Sequence, residues 1–193
     1  MKTDIRGYSI YKPNKTGKGA AAQFNPDSEL RCIWMEMASQ TGARDFDWEK
    51  KIVFKLGHSD LLQMIFVLQL VRTSKYIDFL RAAPAEYDEW ILKEMADSKG
   101  NLLNIFHADR NTGNTSSLTI KGNAASYGGG FRVKLYKKFS DGKALTHQIG
   151  ISPAETLGIL YVLEKPLKAL VTPGERSHRP AFSNSFKEEG YNE

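Results

Sequence analysis

Hydrophobic and polar residues alternate with a period of two along most of the first 57 residues, which is typical of β-strands with one buried face. The alternation predicts strands at 5–12, 19–25, 30–39 and 50–57. The period then changes to 3.6, and apolar residues line one face of a predicted helix from about Ser59 to about Arg72. The first part of the chain is therefore predicted to be a ββββα unit.

The second half repeats this order of elements. Strands are predicted at 101–109, 116–122, 130–139 and 143–151, with turn signals such as Asp141-Gly142 between them. The last helix opens with Ser152, Pro153 and Glu155, which combine an N-cap, a first-turn proline and a capping-box glutamate. It is expected to continue to about 171 and to bend or end near Pro166.

Segments 54–68 and 149–163 match at a constant shift of 95 positions, and eight of the aligned pairs join apolar residues. Matches at one fixed offset indicate a duplicated structural unit. We therefore predict an α+β fold in which two ββββα repeats occupy residues 1–171 as one domain. Repeat one covers about 5–74, a helical insertion covers about 75–100, and repeat two covers about 101–171. The segment 172–193 has no periodicity and is predicted to be a disordered tail.

The formal charge of +5 is unevenly distributed. The tail carries −1, the insertion carries −2, and the remaining residues carry +8, mostly on segments that are predicted to be strands. Such a concentration of basic residues favours a polyanionic partner. No stretch reaches the ~20 apolar residues of a membrane span, and the N-terminus lacks the apolar run of a signal peptide, so we expect a cytoplasmic protein without a membrane partner.

Basic residues in three predicted strands lie opposite the apolar ones, and aromatic residues accompany them. Cations follow a phosphate backbone and aromatic rings stack unpaired bases, so the pattern predicts a single-stranded ligand. The alternative is that any half-exposed sheet turns polar residues outward. The predicted nucleic-acid-binding residues are Tyr8, Tyr11, Lys12, Lys15, Lys18, Trp34, Trp48, Lys51, Lys55, Lys121, Arg132, Lys134, Tyr136 and Lys138.

Residues for catalysis or metal binding are scattered. The four histidines, His58, His107, His147 and His178, form no recognised ligand or triad motif, and structural or surface roles are predicted for them. The single cysteine, Cys32, is predicted to be a half-buried strand residue. We therefore expect no enzymatic activity, no cofactor and no metal site.

Several segments resemble the Whirly family of single-stranded DNA-binding proteins. YSIYK at 8–12, GKGAAAQF at 17–24 and FDWEKKIVFKL at 46–56 are similar to its opening strands and its Asp-Trp segment. HQIGISPAETLGILYVLEKPL at 147–167 is similar to its closing hairpin and helix. The plant members begin with an organelle-targeting segment, so an organelle is the alternative location if such a segment has been removed.

The resemblance implies two packed antiparallel four-stranded sheets, with the helices at the core of a homotetramer. Single strands would pass between the sheets of a subunit and along neighbouring subunits. The family's contact positions then correspond to Lys12, Lys18, Trp34, Trp48, Lys51 and Tyr136.

The resulting hypothesis is a sequence-tolerant protein that coats or protects unpaired DNA in replication, recombination or repair, in a bacterial or virus-infected cell. Because the guide-RNA-binding proteins of trypanosome mitochondria share this architecture, RNA binding or annealing is an alternative, as is transcription regulation. A third reading is an interaction module whose basic face contacts an acidic protein. The tail mixes acids with Phe186 and Tyr191, a pattern that can recruit a protein partner.

Overall fold

A computed structural model describes residues 7–81, 96–122 and 130–171, with side chains for 7–70, 96–122 and 130–166. The predicted insertion lies partly outside these residues, and the predicted tail lies wholly outside them. Within the described residues, no helix is both long enough and apolar enough to cross a membrane.

The chain forms two four-stranded antiparallel sheets, and a helix follows each sheet. The first sheet contains β1 (Tyr8–Lys12), β2 (Ala20–Asp27), β3 (Cys32–Ser39) and β4 (Ile52–Leu56), and α1 (His58–Arg81) follows it. The second contains β5 (Leu103–Ala108), β6 (Thr115–Gly122), β7 (Phe131–Lys138) and β8 (Ala144–Ile151), followed by α2 (Pro153–Val171). In both sheets the strands lie side by side in chain order. The predicted α+β fold of two ββββα repeats is confirmed.

One hydrophobic core serves both repeats. Alternate residues of each strand are buried, as in Ile52, Phe54 and Leu56 of β4 and Phe131, Val133 and Leu135 of β7. These inner faces join the buried sides of the helices, which include Leu61, Met64 and Leu68 of α1 and Ile159 and Leu163 of α2, in a single cluster. The inner face of each sheet is therefore covered by the other repeat as well as by helices.

Two histidines connect the sheets through side-chain contacts. The buried His147 of β8 has Nδ1 2.7 Å from Ser39 Oγ and Nε2 3.0 Å from the carbonyl oxygen of Lys50. Because a carbonyl only accepts, Nε2 carries a hydrogen and donates it, and in the neutral ring Nδ1 then accepts from the serine hydroxyl. His107 of β5 stacks on Phe54 with the ring centroids 4.4 Å apart. These contacts support the structural role that the sequence predicts for both histidines.

The first helix is longer than the sequence pattern predicts, and the second has the predicted length. The first was expected to end near Arg72 but continues to Arg81, because neither glycine nor proline occurs between Gly57 and Pro84. The second runs to Val171, as predicted, and does not end at Pro166. A proline near the end of a helix removes one backbone hydrogen bond, and the packing of α2 against α1 and the first sheet compensates for it.

The start of α2 carries the predicted capping box. The backbone N–H and the hydroxyl of Ser152 donate to Glu155 Oε2 at 2.8 and 2.7 Å, and the Glu155 N–H donates to Ser152 Oγ at 3.3 Å. Lys12 Nζ lies 2.5 Å from Glu155 Oε1. Burial raises the pKa of this carboxyl, but the hydrogen bonds from Lys12 and Ser152 outweigh burial and hold the pKa below its ordinary 4.5. The carboxylate thereby joins β1 to α2.

Replacing Glu155 with glutamine should lower the free energy of unfolding by about 1 kcal/mol at neutral pH, because the ion pair and part of the cap are lost. The native pKa lies below the unfolded value, so this stabilisation is complete above 4.5 and disappears as the pH falls through the native pKa. Urea unfolding of both proteins between neutral and acidic pH measures the difference. A difference that stayed constant into the acid range would contradict this role.

Candidate nucleic-acid interface

The outward face of the second sheet combines positive charge with aromatic rings. Residues at alternate positions of β5 to β8 point away from the core, as the burial pattern and strand register show. We call this surface the basic face. Its members are Asn104, Phe106, Ala108, Thr115, Ser117, Thr119, Lys121, Arg132, Lys134, Tyr136, Lys138, Ala144, Thr146, Gln148 and Gly150.

Four cations and two rings lie on the basic face, and none of its residues is acidic. Arg132, Lys134 and Lys138 follow one another along the central strand β7, with Tyr136 between the two lysines. None of these three cations forms an ion pair within the described part of the chain. The fourth, Lys121, donates to the carbonyl oxygen of Lys99 at 2.8 Å. As far as the described residues go, the charge of these three side chains is therefore available to an external anion.

The acidic residues next to the ends of these strands are held in turns. Asp109 accepts hydrogen bonds from the Thr112 hydroxyl at 2.7 Å and from the Asn111 N–H at 2.9 Å, and these lower its pKa. The pKa of Asp141 is lowered in the same way by Lys143, and that of Asp97 by Asn101. Each carboxylate thus caps a turn at the end of a hairpin or before β5, away from the middle of the basic face.

The outward face of the first sheet has a different electrostatic character, because its charges are paired. The Trp34 indole donates to Asp27 Oδ2 at 3.2 Å, and Lys55 Nζ lies 5.6 Å from the centre of the Trp34 ring. Lys51 Nζ lies 2.9 Å from Glu36 Oε2. The predicted residues Trp34, Lys51 and Lys55 are thus brought together, but each already has an intramolecular partner.

Tyr11 is the most exposed ring of the first sheet among the predicted residues. It accepts a hydrogen bond from Gln23 Nε2 at 3.2 Å, and its ring lies 5.7 Å from that of Phe46. Tyr8 and Lys12, also on β1, point to the side of the strand opposite to Tyr11 and lie next to α2. The three residues of β1 are therefore divided between the two sides of the sheet.

Lys15 and Lys18 are exposed in the loop between β1 and β2. A cleft of about 610 Å³ opens between this loop and residues 40–44, and Lys15 and Arg44 line it. The buried Gln40 connects the two loops, since its side-chain oxygen accepts from the N–H groups of Asn14 and Gly19, each at 2.9 Å. This cleft is a second cationic surface. It is formed by loops of the first sheet, whereas the basic face belongs to the second sheet.

Trp48 is partly buried in the loop before β4, where its backbone N–H donates to the Phe46 carbonyl oxygen at 3.0 Å. The predicted residues therefore occupy three places: the basic face, the outward side of the first sheet with its loops, and the contact between β1 and α2. Lys121, Arg132, Lys134, Tyr136 and Lys138 are brought together on the basic face.

Two residues at these surfaces are absent from the sequence-based set. Phe106 is 63% exposed on the basic face, and Arg44 lines the cleft. Leu103 and Ile105 of the segment LNIFHA are buried, so alternation along this strand predicts that Phe106 points outward. Arg44 lies in a loop and carries no such periodic signal.

Cys32 is buried, more deeply than the sequence predicts, and burial raises the pKa of its thiol. The described residues contain no cluster of three or more potential metal ligands.

Solved plant structures share this architecture. The plant transcriptional regulator PBF-2 aligns with a TM-score of 0.52 and 18% identity, over 86% of this chain and 84% of its own. WHY1 from Arabidopsis thaliana gives 0.56 and 18% over 86% and 91% of the two chains. WHY3 from the same plant gives 0.55 and 17% over 86% and 89%.

Neither a protein-family profile nor a curated protein sequence matches the chain. The likeness is therefore one of three-dimensional structure at low sequence identity. The order of strands, the two antiparallel sheets and the helix after each sheet agree with the architecture that the sequence resemblance implies. The chain has the Whirly fold.

Proposed function

We propose that this protein binds single-stranded DNA through the basic face, with little preference for sequence. The observation that supports this most directly is a sheet surface with four cations and two aromatic rings and without any acidic member. Phosphate groups would contact Arg132, Lys134 and Lys138, and unpaired bases would stack on the rings. A duplex keeps its bases stacked inside the helix, so it could use the cations but not the rings.

Binding of this kind would coat or protect unpaired DNA during replication, recombination or repair. The fold is compatible with that role, and its likeness to the plant transcriptional regulator PBF-2 supports a nucleic-acid ligand. The proposed role requires no chemical step, and none of the histidine contacts described above suggests one. Regulation of transcription and binding of RNA use the same surface chemistry and are the alternatives that experiments must separate.

We further propose that the protein acts as a homotetramer assembled through its helices. Leu62 and Phe66 of α1 are at least half exposed, and so are Leu157 and Tyr161 of α2. Each pair is spaced four residues apart and forms an apolar stripe on its helix, and the two stripes match at the same shift of 95 positions as the repeats. A cleft of about 680 Å³ beside Tyr161 and Tyr8 offers space for side chains of another copy. Burying the α1 stripe of one copy against the α2 stripe of the next is a head-to-tail contact, and with a quarter-turn rotation between copies it closes into a ring of four.

The proposal is tested by competition titration with poly-dT, poly-U and duplex DNA at low and high salt. We expect poly-dT to bind most tightly, and its affinity to fall steeply as salt rises, because phosphate contacts release counterions. Native mass measurement of the same complexes gives the number of subunits.

Equal affinity for duplex DNA would contradict stacking on the rings. Tighter binding to poly-U would favour the RNA alternative. Failure to bind any of the three would overturn the proposed function and would favour an acidic protein as the partner.

A further inference from the structure

We propose that Phe106 and Tyr136 form a platform for two bases, which holds two successive unpaired bases of one strand across the second sheet. The inference rests on the proposed function and adds to it a specific arrangement of ligand on the basic face. It also adds Phe106 as a binding residue.

Exposure of Phe106 is not sufficient by itself, because isolated apolar side chains are common on protein surfaces. The proposal rests on the position of Phe106 in the sheet. Phe106 pairs with Ser117 of β6, and Ser117 pairs with Tyr136 of β7, so the three side chains form one row across the sheet. The small serine between the rings leaves the space above the middle strand open. Two flat rings thus flank an open position on a surface that attracts anions.

The spacing of the rings selects unpaired bases. Neighbouring strands lie about 4.8 Å apart, so rings on β5 and β7 are separated by about 10 Å. Successive bases in a stacked helix are only about 3.4 Å apart along the axis, which is too close for each to cover a different ring. The bases must separate from each other before both rings are occupied, and only an unpaired strand permits this.

The cations indicate where the phosphates run. On one side of the row lie Lys134 and, beyond it, Arg132, while on the other side lies Lys138 alone. The side with Lys134 and Arg132 is therefore the more positive one. A strand whose phosphates lie on that side of the row would cross the β-strands from β5 towards β7 and direct its bases onto Phe106 and Tyr136. Thr119, on β6 in the row of Lys134, lies next to Ser117 on that side and can hydrogen-bond to sugars or base edges.

Phe106→Leu and Phe106→Tyr provide a matched test, since the first removes the ring and keeps an apolar side chain while the second keeps a ring. Each protein is titrated with fluorescein-labelled oligothymidylate. We expect Phe106→Leu to weaken binding about tenfold, the contribution of one stacked base, and Phe106→Tyr to bind like the wild type. Tyr136→Leu should cause a similar loss, and the double variant should show the product of the two, because each ring holds its own base.

Photo-cross-linking with oligonucleotides that contain 5-iodouracil supplies a second readout on the unmodified protein. Cross-links should appear on the peptides that contain Phe106 and Tyr136. If the Phe106→Leu protein binds like the wild type while Tyr136→Leu and removal of the β7 cations weaken binding, the two-base platform is wrong and the proposed function stands. If the unmodified protein does not bind oligothymidylate at all, both are wrong. A changed subunit number in Phe106→Leu, with unchanged affinity, would assign the ring to assembly and would also overturn the platform.

Discussion

Replacing Arg132 and Lys134 together with glutamine is expected to weaken the binding of single-stranded DNA by about 100-fold or more at low salt. Each loses a charge-assisted contact to phosphate, which typically contributes about 1.5–3 kcal/mol. Both side chains point away from the core on β7, so glutamine leaves the packing of Val133 and Leu135 unchanged. Fluorescence anisotropy with labelled oligothymidylate measures the loss directly.

The salt dependence distinguishes lost phosphate contacts from a disturbed fold. Each lost contact should reduce the slope of log affinity against log salt by about 0.7, so the double variant should lose about 1.4. Lys50→Gln is the matched control, because Lys50 is an exposed lysine of the first repeat that pairs with Asp47 at 3.1 Å. Binding by the control should be near that of the wild type. If the double variant kept its affinity and slope, the basic face would not be the binding surface.

Introducing glutamate at Phe66 and Tyr161 should dissociate the proposed tetramer into monomers. Both side chains are exposed in the single subunit, at 60% and 65%, so the change should leave the monomer folded. In the tetramer each charge would be buried in an apolar contact, and the cost of several kcal/mol per uncompensated charge at repeated interfaces is large enough to prevent assembly. Sedimentation or native mass measurement should show the 21.7 kDa chain in place of an assembly four times heavier.

Gln63→Glu is the control for the added charge. Gln63 is exposed on α1 beside the stripe and has its amide 3.4 Å from the carbonyl oxygen of Ser59. We expect this variant to assemble like the wild type. A wild-type protein that is monomeric at all concentrations, or a Phe66→Glu, Tyr161→Glu protein that stays tetrameric, would contradict assembly through the helices. Because the basic face is separate from the stripes, the monomer should still bind a short oligonucleotide.

The repeated ββββα order and the inward and outward sides of β4, β6 and β7 could be predicted from the sequence, because alternation determines which side chains reach the core. Phe54 and Leu135, for example, are buried, whereas Val53 and Lys134 are exposed, as expected. The start of α2 could also be predicted, since the capping box depends only on residues within one turn.

Contacts between distant segments could not be predicted in this way. Lys12 and Lys51 are basic residues in a basic chain, yet Glu155 and Glu36 neutralise them, and both pairings depend on tertiary structure. The sequence therefore does not distinguish the paired charges of the first sheet from the available charges of the second. The position of Phe106 in one row with Tyr136 could not be predicted either, because it depends on the register of three strands.

The single core shared by the two repeats has a consequence for synthesis of the protein. The first sheet emerges from the ribosome while β8 and α2, which contribute to covering it, have not yet been translated. Until then its inner residues, such as Met35 and Met37, remain accessible to water and to other nascent chains. Because exposed strands of this kind tend to aggregate, the first repeat depends on completion of the second for protection of its inner face.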